Sequence, residues 1–74
     1  MKEKLLTIMN EVFGIDNADE ETSQLNCKAW NSLNHLNLII ALETEFDVSF
    51  EPEEIADMRN YREVFAQLQK KINK

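Results

Sequence analysis

Apolar residues Leu5, Ile8, Met9 and Val12 fall at i, i+3, i+4 and i+7, with Leu6 and Phe13 widening the stripe. That spacing predicts an amphipathic helix at the N-terminal end. Gly14, the only glycine, follows it and suits the left-handed position just past a helix, with Ile15 able to contact the last turn. From Ile15 to Trp30 no period is sustained, and Asp, Asn, Thr and Ser are dense, which predicts a long ordered loop. Leu25 and Trp30 are the residues expected to pin it.

The strongest local signal comes next. Asn31 or Ser32 can cap a helix on which Leu33, Leu36, Ile39, Ile40 and Phe46 recur at helical spacing, with Leu38 and Leu42 beside them. It should run to Phe46, about 22 Å at about 1.5 Å per residue. Asp47 to Phe50 then reads as a connector. Pro52 fits the first turn of a short third helix, Glu53 to about Asp57. Asn60 with Glu63 makes a capping-box pattern for a last helix carrying Tyr61, Val64, Phe65, Leu68 and Ile72. The expected fold is therefore all-α: three longer helices and one short third helix in a single domain spanning residues 1–74, with no strand pattern.

Charge changes the picture. Fourteen acidic side chains against 8 basic ones give a net charge of −6. This argues against a surface that neutralises nucleic-acid phosphates. The acids are clustered: Glu11, Asp16, Asp19, Glu20 and Glu21 in one stretch, and Glu43, Glu45, Asp47, Glu51, Glu53, Glu54 and Asp57 in another, with no basic residue in either. Such one-signed stretches favour basic protein partners and weaken as salt rises. A chain below roughly 80 residues draws only about 3 to 5 kcal/mol from one core, which leaves little room for a deep catalytic cleft. The longest apolar run, Leu38 to Leu42, is far short of the roughly 20 residues that span a bilayer. The N-terminal pattern has no continuous apolar leader. The chain reads as cytoplasmic, soluble and monomeric.

Several chemistries fail on their residues. The stretch Asp16 to Glu21 has Ala18 and Glu21 where a calcium loop needs a ligand and a glycine. Ser32 and His35 lie three apart on one helix, yet the chain has no Gly-x-Ser-x-Gly elbow. His35 is expected to be a partly exposed helical residue, and the lone Cys27 a half-buried inert thiol. Ser32 is either a capping serine or a hydroxyl placed, at the positive end of a helix dipole, to bear a phosphate.

The segment Trp30-Asn31-Ser32-Leu33-Asn34-His35-Leu36, continued by Ala41-Leu42-Glu43-Thr44-Glu45-Phe46, resembles the attachment segment and second helix of the acyl carrier protein family. In that family an Asp-Ser-Leu motif opens the helix. The resemblance extends through Val48, Phe50, Ile55 and Met58 into the last helix, and the first helix ending at Gly14-Ile15 fits too. It implies a four-helix acyl-carrier-like bundle that is a carrier and not an enzyme. Ser32, flanked by Asn31 and Leu33, would bear 4′-phosphopantetheine delivered from coenzyme A by a phosphopantetheinyl transferase. An acyl or aminoacyl cargo would ride on that arm. Glu43, Glu45, Glu53, Glu54 and Asp57 match positions that meet basic docking patches on acyl-loading and acyl-using enzymes. Leu33, Ile40, Phe50, Ile55 and Met58 are either a cargo groove or ordinary bundle core. Asn31 departs from the motif's Asp, and Asn34 and Asn37 stand where many relatives carry acids. The alternative is an unmodified carrier-like module that docks a basic protein through its acidic face.

Overall fold

The computed structural model describes residues 1–72. It holds four helices in the expected order: α1 (Lys2–Phe13), α2 (Ser32–Phe46), α3 (Pro52–Asp57) and α4 (Tyr61–Ile72). Leu5, Ile8, Met9 and Phe13 of α1 meet Leu38, Ile39 and Leu42 of α2 and Tyr61, Val64 and Leu68 of α4 in one core, closed by Trp30, Phe50 and Met58. The i, i+3, i+4 spacing buries these residues together because helical neighbours three and four apart share a face. No described helix is long and apolar enough to cross a membrane.

Gly14 ends α1 at φ 68°, in the left-handed region. Nothing lies within 4 Å of where a Cβ would sit, so the backbone angle and not crowding selects glycine there. The N–H groups of Gly14 and Ile15 both donate to the Asn10 carbonyl. Asn10 also accepts from Ala18 N–H through its side chain at 2.9 Å, which folds the start of the loop back onto α1.

The loop is held differently from the expectation. Trp30 is 3% exposed and packs 5.1 Å, ring to ring, from Phe13, but Leu25 is 99% exposed and pins nothing. Polar contacts explain the difference. Ser23 Oγ accepts from the N–H groups of Leu25 and Asn26, and Asn26 Oδ1 accepts from Ser23 N–H, a tight turn that turns Leu25 outward. Buried Thr22 takes over the anchoring role. Its carbonyl accepts from Tyr61 N–H, its hydroxyl from Asp19 N–H, and Gln24 N–H donates to the Arg59 carbonyl. Ser23 and Asn60 thereby form an isolated antiparallel bridge joining the loop to the α3–α4 junction.

Helix starts follow local chemistry. Asn31 caps α2, its side chain accepting from Asn34 N–H at 2.9 Å. Pro52 opens α3, and Glu54 accepts from Glu51 N–H at 2.7 Å. Asn60 Oδ1 accepts from Glu63 N–H, but among the described residues the return bond of a full capping box is not made. The outward half of the expected α2 stripe is a second departure. Leu33, Leu36 and Ile40 are exposed, because Leu38, Ile39 and Leu42 already occupy the face turned to α1.

Candidate functional site

Ser32 is the first residue of α2 and is exposed. Just before it, Asn31 is extended (φ −94°, ψ −179°) and has both its oxygens occupied: Oδ1 by Asn34 N–H and the carbonyl by His35 N–H. The amide groups of Ser32 and Leu33 are left at the open end of the helix, where orphan N–H groups and the dipole favour an anion. No acidic side chain stands in the first turn. Beside the serine lies an open depression of about 510 Å³ lined by Gln24, Trp30, Asn31, Ser32, His35 and Leu36. An anionic group carried by Ser32 fits these donors, and a slender chain attached to it fits the depression.

The segment that presents the serine is braced from behind. His35 Nδ1 accepts from Trp30 Nε1–H at 3.0 Å, and His35 Nε2 lies 2.8 Å from the Ile55 carbonyl. Because Trp30 can only donate and a carbonyl can only accept, the ring is the neutral Nε2–H tautomer. One imidazole thus ties the end of the loop to α2 and α2 to α3. The sequence predicts His35 to be a partly exposed helical residue, which it is, but carries no sign of its partner Ile55 twenty residues away. Asn34 adds a second brace: its Nδ2 donates to the Ala29 carbonyl at 2.8 Å, and its Oδ1 accepts from Asn37 Nδ2 at 3.1 Å. Leu36 and Gln24, which the sequence does not mark as site residues, also line the depression. Leu36 stands one helical turn from Ser32, a signal present in the sequence; Gln24 is brought there only by the loop's tertiary stitching.

The five acids assigned to partner docking are not equivalent. Glu43 accepts from Phe50 N–H at 2.9 Å and so braces the α2–α3 connector. Glu45 pairs with Lys4 at 3.0 Å and Glu54 with Lys71 at 2.9 Å. The Glu51 backbone N–H first, and then Lys71, hold the Glu54 carboxyl below its ordinary range. Glu53 and Asp57 form no ion pair among the described residues. In the other acidic stretch Glu20 pairs with Lys2 and Glu21 with Arg62. Hydrogen bonding to Lys2 lowers the Glu20 carboxyl and raises the lysine in turn.

The five groove candidates divide. Phe50 and Met58 are in the core and Ile55 is half-buried, while Leu33 and Ile40 stand on the outer face of α2. Cys27 is half-buried. Among the described residues no three His, Cys, Asp or Glu side chains gather to hold a metal.

No family model matches the sequence, and no curated protein matches it. Solved structures do. The chain is similar to the holo acyl carrier protein from Geobacter metallireducens, with a TM-score of 0.87 and 32% identity over 96% of this chain and 84% of that one. It is also similar to an acyl carrier protein from Thermotoga maritima, with a TM-score of 0.80 and 26% identity over 96% of this chain and 85% of that one.

Proposed function

The chain belongs to the acyl carrier protein family, and from that premise we propose that it carries an acyl or aminoacyl group on 4′-phosphopantetheine attached to Ser32. The observation that carries this reading is the exposed Ser32 hydroxyl at the opening of α2, beside uncommitted backbone N–H groups and a depression that begins at the same serine. When attached, the group supplies a thiol that holds cargo as a thioester. The chain's own residues do the rest. Ser32 N–H and Leu33 N–H would hold the phosphate, Asn31 fixes the helix start, and Gln24, Trp30 and Leu36 offer a wall along which the arm could lie. The tether raises the effective concentration of one cargo at each enzyme it meets. Partners are a phosphopantetheinyl transferase and the enzymes that load and use the cargo. Glu53 and Asp57 are the acids most free to meet a basic group on them.

The test is intact-mass measurement after incubation with coenzyme A, magnesium and a broad-specificity transferase. Wild type gains one phosphopantetheine and Ser32→Ala gains none. Asn31 replaces the carboxylate that precedes the serine in the resembled motif, so Asn31→Asp should be modified faster. If neither wild type nor Asn31→Asp gains mass, the carrier reading fails. The second reading, an unmodified module that docks a basic partner, is favoured by Asn31 alone and predicts binding that survives Ser32→Ala.

A further inference from the structure

Of the six residues that line the depression beside Ser32, only His35 carries a titratable side chain, and histidine is the side chain whose ordinary titration falls between about pH 5 and 8. Its two bonds make opposite demands on the ring. Nδ1 must offer a lone pair to the Trp30 indole N–H, 3.0 Å away, whereas Nε2 must offer a proton to the Ile55 carbonyl, 2.8 Å away. Only the neutral ring meets both. Protonation places a hydrogen on Nδ1 and sets two donors against each other, and an indole N–H has no acceptor with which to answer. The bond to Ile55 survives that change and is strengthened by the charge. Protonation therefore releases Trp30 while leaving α2 tied to α3.

Trp30 stands two residues before Ser32 and forms a wall of the depression. The charged groups on the surrounding elements are engaged elsewhere or lie off this bond. The loop carries Cys27 and Lys28 close to Trp30 in sequence, α1 meets Trp30 through the uncharged Phe13, and α2 has no acid before Glu43. From α3 come Glu53, Glu54 and Asp57, with Arg59 after it; Lys71 and the Glu51 N–H engage Glu54, and Arg59 Nε donates to the Ala56 carbonyl. Among the described residues the imidazole bonds to Trp30 and Ile55 and to none of these groups. We propose that His35 is a proton-sensitive positioning residue for the reaction at Ser32. In its neutral form it holds Trp30, and with it the residues leading into the serine, in the geometry that accepts the phosphopantetheine; protonation loosens that geometry. The proposal rests on Ser32 being the attachment point. Asn34 keeps its bond to the Ala29 carbonyl at any pH in this range, so the effect is a slowing and not a loss.

The test compares the full-length wild type with His35→Gln, whose amide can accept from the indole and donate to the carbonyl but does not titrate. Loading of Ser32 is timed by intact mass, with coenzyme A, magnesium and a broad-specificity transferase, at about pH 8 and about pH 5.5. The ratio of the two chains' rates at each pH cancels the transferase's own pH dependence. Wild type should fall behind His35→Gln by at least about three-fold more at the lower pH than at the higher, as the loss of one ordinary hydrogen bond implies. In the ¹⁵N-labelled chains the Trp30 indole N–H resonance should move over the same range in wild type and hold still in His35→Gln. Three outcomes overturn the proposal: a rate ratio that is flat or reversed with pH, an indole resonance that holds still in wild type, or one that moves equally in both chains. Loading with a flat ratio sinks this inference and leaves the carrier reading intact. If neither wild type nor Asn31→Asp loads at either pH, the carrier reading fails and this inference falls with it.

Discussion

The two ends of α2 differ in chemistry. Its first turns, from Ser32 to Ile40, carry exposed leucines and isoleucine between interlocked amides. Its last turn and α3 carry Glu43, Glu45, Glu53, Glu54 and Asp57, several of them tied to lysines or to backbone. The contrast teaches that a strongly negative chain need not be negative on every face. Exposed pairs such as Glu45 with Lys4 are worth only about 0 to 1 kcal/mol, so a basic partner can exchange them at little cost. The acidic end therefore presents a field that salt can tune, and the amide end presents apolar and neutral polar surface that carries no fixed charge to screen.

The sharpest way to break the comparison is a pair of leucines two positions apart. Leu38 is fully buried and Leu36 is 54% exposed. Leu38→Ala should lose about 2 to 5 kcal/mol, a large share of what a domain of this size has, and its thermal midpoint should fall sharply by circular dichroism. Leu36→Ala should stay within about 0.5 kcal/mol of wild type in the same measurement. Equal losses would mean that the outer stripe is part of the core. A smaller effect comes from giving the amide end a charge. Asn34→Asp keeps the side chain's size but leaves the Ala29 carbonyl facing a carboxylate, and chemical denaturation should show about 1 to 3 kcal/mol lost.

The smallest effect concerns pH at the acidic end. Glu54 is held below its ordinary value near 4.5 by the Glu51 N–H and by Lys71. A depressed carboxyl contributes fully above its unfolded value, and the contribution is lost as pH falls through the lowered one. The Glu51 amide resonance should therefore hold steady above pH 4.5 and move only below it. Lys71→Met should shift that midpoint upward.

The four helices were legible because each has a periodic apolar face and a recognisable start or stop, such as Gly14, Asn31 and Pro52. The acyl-carrier fold was legible for the same reason, reinforced by the segment from Trp30 to Phe46. The loop's anchoring was legible only at Trp30, which pins it as expected by packing on Phe13. An apolar Leu25 in a polar stretch reads as a pin, but its direction is set by the Ser23 and Asn26 turn, and Thr22 anchors through backbone bonds that no composition signals. The outward leucines of α2 belong to the same helical stripe by spacing, because spacing says which residues share a face, not which of two apolar faces the neighbouring helix will cover. The roles of Asn34 and His35 depend on carbonyls at Ala29 and Ile55, and a carbonyl's position is invisible in a sequence.

His35 also makes the chain its own instrument. Trp30 is the only tryptophan, and its indole N–H is one imidazole away from the backbone of α3. A change in how α3 sits must alter the polarity and hydrogen bonding felt by that indole. Emission from a single native fluorophore thus reports on a helix twenty-odd residues distant in sequence, with no label added.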